Sequence, residues 1–112
     1  MWTMSGHGIR ERIQCADAVL WRDRVVADAR SEHGLAAASE HEVSTDVVIA
    51  AAEIIAAYIA AGETLVSRAD LALSISARGM FRVVRFLVAR RHIERAGGDL
   101  FRPIGARAGE LR

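Results

Sequence analysis

The run VVIAAAEIIAAYIAAG, Val47 to Gly62, constrains this chain more than any other feature. It is too short to cross a bilayer, which takes ~20 apolar residues, and Glu53 interrupts it. Read as a helix it is apolar nearly all round, so it has to sit centrally with other elements packed on several sides. Ser44, Thr45 or Asp46 supplies an N-cap, and Gly62 supplies a stop. The rest of the composition agrees with a packed core. Across 112 residues, 52% are hydrophobic, 26% are charged and one is proline, a globular balance in a chain of single-domain length.

The single cysteine, Cys15, excludes an intramolecular disulfide and a four-cysteine zinc site. On a helix face it is expected to act as a small buried apolar residue. The N-terminus MWTMSGHGIRER has no apolar signal run and turns charged early, which points to the cytoplasm. All 15 basic residues are arginine, a bias read as GC-rich coding. The net charge of +1 conceals an asymmetry: residues 1–63 hold five arginines and ten acids, whereas residues 64–112 hold ten arginines and four acids. The two halves therefore face different partners.

Periodicity predicts a helix from Ile9 to about Arg30, with Ile9, Ile13, Ala16 and Leu20 on the inner face. Gly34 is the expected stop. Ser31 to Thr45 reads as a linker with at most a short helical turn at its alanines. After the central helix, Ser67 and Asp70 have capping-box spacing and open a short helix, RADLALSI. Ser76 caps another, ARGMFRVVRFLVARR. On it Met80, Val83, Val84 and Leu87 share one face, while Arg78, Arg82 and Arg85 fall within about 60° on the opposite face. HIERAGGDLFRPI then reads as a hairpin turning at Gly97-Gly98-Asp99, with Pro103 tolerated near the end of an edge strand.

In this order and spacing, Ser67 to Ile104 resembles the DNA-binding module of bacterial winged helix-turn-helix regulators, with the helix from Asp46 to Ala61 as the module's first helix. The resemblance implies a mostly α fold with a small β-hairpin wing, preceded by an N-terminal helix. Residues 1–45 would form an assembly or partner region and residues 46–112 the winged helix, within one compact structure. It further implies sequence-specific binding of double-stranded DNA by a small transcriptional regulator, with the third helix in the major groove and the wing on the backbone or minor groove. Carried over by position, Ser76 is the cap, and Ala77, Arg78, Phe81, Arg82 and Arg85 form the groove side. Arg95 and Arg102 flank the wing turn. Arginine suits these places because its planar fork grips a guanine edge or a phosphate bidentately. Between Arg78 and Arg107 there are eight arginines and two acids, the charge footprint of a nucleic-acid face. Arg91 stands where many winged helices end the recognition helix with glycine.

A second reading is a winged-helix protein-interaction module, an adaptor or assembly factor that binds a protein through an apolar patch around Phe81 and Phe86. A third is a sensor that uses Glu32, His33, Glu40, His41 and Glu42, although their spacing matches no metal motif. No nucleophile motif, defensible carboxylate pair or dinucleotide fingerprint is present, so the expectation is a binder without catalysis, cofactor or metal. Trp21 and Val25 widen the apolar surface of the N-terminal helix. A two-fold homodimer through that helix is therefore expected.

Overall fold

The computed structural model describes the backbone of residues 5–106 and the side chains of residues 15–106. Ile9 and Ile13 as inner-face residues, and Arg107, lie outside the described side chains. Among the described residues there are five helices and a three-stranded antiparallel sheet. In order they are α1 (Ser5–Arg30), α2 (Glu32–Glu40), α3 (Thr45–Ala60), β1 (Val66–Ser67), α4 (Arg68–Ala72), α5 (Ala77–Ala89), β2 (Ile93–Arg95) and β3 (Leu100–Pro103). Among the described residues, no single helix is long and apolar enough to cross a membrane.

The alanine-rich helix takes the central place its composition demands. In α3, Val48, Ala51, Ala52, Ile55, Ala56 and Ile59 are buried, and its exposed line narrows to Asp46, Ala50, Glu53 and Ala57. Ser44 caps it by accepting a hydrogen bond from the Val47 N–H at 3.2 Å. Gly62, with φ of 89°, stops it in the left-handed conformation that glycine adopts at least cost.

The inner face of α1 is rotated from the expected one. Ala18, Trp21, Val25 and Ala29 are buried, spaced three or four residues apart, and pack along α3. Ala16 and Leu20 face outward, Leu20 with 68% of its surface exposed. The line that goes inward is the one centred on Trp21, the largest apolar side chain of the helix, whose burial in the common core removes the most apolar surface from water. Trp21 and Val25 are thus core residues, so they contribute nothing to a dimer surface. Cys15 also departs from expectation and is exposed.

The segment after α1 is a full helix rather than a linker. Ser31 ends α1 in extended backbone and caps α2, its Oγ accepting from the Gly34 N–H at 3.0 Å. Gly34 does not stop a helix; it lies buried within α2, where an added Cβ would come within 1.7 Å of the Asp28 carbonyl oxygen. Glycine is required because the two helix backbones approach so closely.

The expected capping box is present. Ser67 Oγ accepts from the Asp70 N–H at 3.2 Å, while Asp70 Oδ2 accepts from the Ser67 N–H at 2.9 Å. Tyr58 donates to the other Asp70 oxygen at 3.0 Å and so ties α3 to α4. The Ser67 N–H stabilises the ionised Asp70 carboxylate and lowers its pKa.

The sheet has the order β1-β3-β2, with Val66 opposite Phe101, Glu94 opposite Arg102 and Ile93 opposite Pro103. The two-residue β1 makes β3 a central strand where Leu100 and Phe101 pair with it, a correction to the expected edge. Pro103 is still accommodated. The Ile104 N–H donates to the His92 carbonyl at 2.9 Å, so strand alternation turns the Pro103 nitrogen the other way, past the end of β1. One hydrophobic cluster runs from Ala18 through α3 and α5 to Phe101 and Ala106.

Candidate nucleic-acid interface

Helix α5 divides cleanly into two faces. Val83, Val84, Phe86 and Leu87 are buried, and Met80 packs against them from the edge. The opposite face carries Arg78, Phe81, Arg82 and Arg85, which helical spacing gathers within about 100°. Arg78 and Arg85 are exposed, Phe81 has 53% of its surface exposed, and Arg82 is half-buried. Ser76 caps this helix, accepting from the Gly79 N–H at 3.1 Å, and Ala77 opens it and is exposed. α4 packs against α5 from the preceding turn.

The two expected phenylalanines separate. Phe86 is fully buried, with the His41 ring edge-on to it at 6.4 Å between centroids. Phe81 is exposed, and the Arg85 guanidinium carbon lies 5.8 Å from its ring centroid. A shared Phe81/Phe86 surface patch is therefore absent, because Phe86 points into the core.

The hairpin follows α5 directly. Its turn uses Gly97 and Gly98 at φ of 106° and 54°. Arg95 on β2 and Arg102 on β3 are both exposed. Arg102 pairs across the strands with Glu94, Nη1 to Oε1 at 3.0 Å. Arg68, at the start of α4, approaches Asp99 of the turn at 3.8 Å. Among the described residues, Arg78, Arg85 and Arg95 have no carboxylate partner.

Three further groups shape this face from elsewhere in the chain. Glu42, between α2 and α3, holds Arg82: Oε2 lies 3.2 Å from Nη2, and the Glu42 carbonyl accepts from Nη1 at 3.3 Å. A cavity of about 270 Å³ opens beside this pair, lined by Glu40, His41, Glu42, Phe81, Arg82 and Arg85. Arg91 adopts φ of 61° immediately after α5 and is exposed, so it occupies the position expected for a helix-ending glycine. Asp28 of α1 secures the end of α5: Arg90 Nε donates to it at 3.0 Å with Nη2 on the other oxygen, and His92 Nε2 lies 2.8 Å away. The Arg90 hydrogen bonds hold the Asp28 pKa down at about 2, whereas burial lowers that of His92. The Trp21 indole N–H donates to the His92 carbonyl at 3.2 Å, and Arg24 donates to the Ile104 carbonyl at 2.6 Å.

These contacts were not legible locally. Glu42 is forty residues from Arg82, and Asp28 is more than sixty from Arg90 and His92. The histidines and glutamates of the α2 region do not gather: among the described residues, no three potential metal-ligating side chains converge. Comparison with protein families, curated proteins and solved structures gives no match to this chain.

Proposed function

We propose that this chain binds double-stranded DNA with sequence preference, as a small regulator of transcription whose α5 enters the major groove. The observation that carries the reading is the outer face of α5. Three arginines lie on one side of a helix whose other side is anchored in the core, Arg78 and Arg85 exposed and Arg82 held by Glu42, so the charged face is rigidly presented. The order α3, β1, α4, α5, β2, β3 supports a winged helix-turn-helix reading, in which β2 and β3 would form the wing. In that arrangement Arg78 and Arg82, early in α5, reach deepest into the groove. Arg85 and Arg95 contact the phosphate backbone. Arg102, already paired with Glu94, is a weaker contributor. Two copies related by a two-fold axis would read two half-sites.

The alternative, a protein-interaction module, loses half of its apolar anchor with the burial of Phe86. Phe81 alone, under Arg85, is a small patch for that purpose.

Selection of binding sites from random duplex DNA at stated salt, followed by alanine replacement of Arg78, Arg82 and Arg85 together, tests the proposal. The folded triple variant is expected to lose the selected site. A base-reading arginine should cost about 1–3 kcal/mol at one position, and each phosphate contact should reduce the salt slope by about one. A parent protein that binds no DNA at low salt, or a folded triple variant that binds as well as the parent, would favour the protein-interaction reading instead.

A further inference from the structure

Helices α2, α3 and α5 end in the same hydrogen-bonded motif. In each, two consecutive N–H groups beyond the helix reach back into its last turn: Glu42 to Ser39 and Val43 to Ala38, Gly62 to Ile59 and Glu63 to Tyr58, Arg91 to Val88 and His92 to Leu87. The motif needs a residue in the left-handed conformation, and glycine takes it with least strain. Helix α3 uses Gly62 there, whereas α2 uses Glu42 at φ of 56°. A side chain in this conformation carries local strain, which makes the contacts of Glu42 worth following.

Both polar ends of Glu42 go to Arg82. Its carbonyl accepts from Nη1 at 3.3 Å and its carboxylate pairs with Nη2 at 3.2 Å. The same turn is seated on α5 by the His41 ring against Phe86. Of the three arginines on the outer face of α5, Arg82 alone has a carboxylate partner among the described residues. Such a partner has two effects. It restrains a long, rotamer-rich side chain at two points, and it offsets part of the charge that would draw the guanidinium to phosphate, only part because the Glu42 carboxylate is itself exposed. The directional N–H groups left over still match the paired acceptors on a guanine edge, where geometry counts for more than net charge.

We infer that Glu42 is a positioning residue for base recognition, holding Arg82 so that its remaining N–H groups face a guanine rather than a phosphate. The inference rests on the DNA-binding reading and deepens it. Glu42 itself touches no base.

The test compares the parent with Glu42→Gln, Arg82→Ala and the double variant, each titrated with the selected site, with the same site changed at single positions, and with random duplex. Glu42→Gly serves as a second variant that relieves the left-handed backbone and so preserves folding. Glu42→Gln is expected to bind random duplex a few-fold more tightly, since a negative charge is gone, while preference for one guanine falls about tenfold. Arg82→Ala should lose preference at that same position, and the double variant should lose no more than Arg82→Ala does. A purely structural role would move the thermal midpoint and leave the base preference alone. Preference retained within twofold in both Glu42 variants, while Arg82→Ala loses it, overturns this inference and leaves the DNA reading standing. A parent that selects no sequence overturns both.

Discussion

Arg91 shows how a single residue can be kept against its own backbone preference. At φ of 61° its Cβ crowds the following carbonyl, so Arg91→Gly should stabilise the fold by about 0.5–1 kcal/mol, read from urea unfolding midpoints. A loss of stability would mean that the side chain makes contacts worth more than the strain. Asp28 and His92 carry a different consequence. Both have pKa values lowered in the folded state, Asp28 from 3.8 to about 2 through its Arg90 hydrogen bonds and His92 below 6.5 through burial. The unfolded chain therefore binds more protons at both sites as the solution is acidified, and stability falls with pH. The His92 share is present above about 6.5 and is lost below it. The Asp28 share is present above 3.8 and is lost as pH falls toward about 2. Because Asp28 is partly exposed, its share is on the order of 1–2 kcal/mol. The stability gap between the parent and Asp28→Asn should accordingly be wide at pH 7 and close below pH ~4. A gap that stays constant down to pH ~3 would show that the carboxylate's charge is not what secures α5.

Among the elements, α2 shows how a short helix depends on tertiary contact. It has nine residues, too few for a helix that stands alone in water, and its stability comes from the Ser31 cap and from Gly34 and Ala38 buried against neighbours. Gly34→Ala would drive a Cβ to 1.7 Å from a backbone oxygen of α1, so a loss of about 3 kcal/mol or more is expected in chemical denaturation. A loss below about 0.5 kcal/mol would mean that the helices separate freely. The same dependence explains which elements were legible in the sequence. α3, α4, α5 and the hairpin announce themselves through local chemistry: Ser44, Ser67 and Ser76 cap, Gly62 stops, and Gly97-Gly98 turns. α2 has a local cap too, in Ser31, but it reads as linker because Gly34 looks like a helix stop when it is instead the close contact between two helix backbones. Strand β1 has only two residues and is defined by its pairing with Leu100 and Phe101. The sequence suggests the other phase for α1 because the Ile9, Ile13, Ala16, Leu20 line is more apolar than the Ala18, Trp21, Val25, Ala29 line that is buried. The exposed half of the candidate site, Arg78, Phe81 and Arg85, follows from period 3.6 alone. Its tether to Glu42 depends on where the α2–α3 turn lands.

At the scale of the whole molecule, α1 is the element with a surface left over. Its inner line is spent on the core and on the Trp21, Arg24 and Asp28 contacts that hold the C-terminal elements. On the outer side Val19 and Leu20 stay 43% and 68% exposed, with Ala16 beside them. Ala16, Val19 and Leu20 stand three and four residues apart, the spacing along which two helices pack. This moves the proposed homodimer surface from Trp21 and Val25 to the opposite side of the same helix. Light scattering at tens of micromolar is expected to give the mass of a dimer, and Leu20→Glu to give a folded monomer, since a charge on that line would have to be desolvated between the copies. Trp21→Ala should behave differently, costing about 3–5 kcal/mol of stability through a core cavity. The consequence for DNA is a matter of geometry. A two-fold dimer reads half-sites about one helical turn apart, so Leu20→Glu should weaken binding to a paired site much more than to a single half-site. A parent protein that scatters as a monomer, or a Leu20→Glu variant that remains dimeric, would remove α1 as the pairing element and leave each chain to read its site alone.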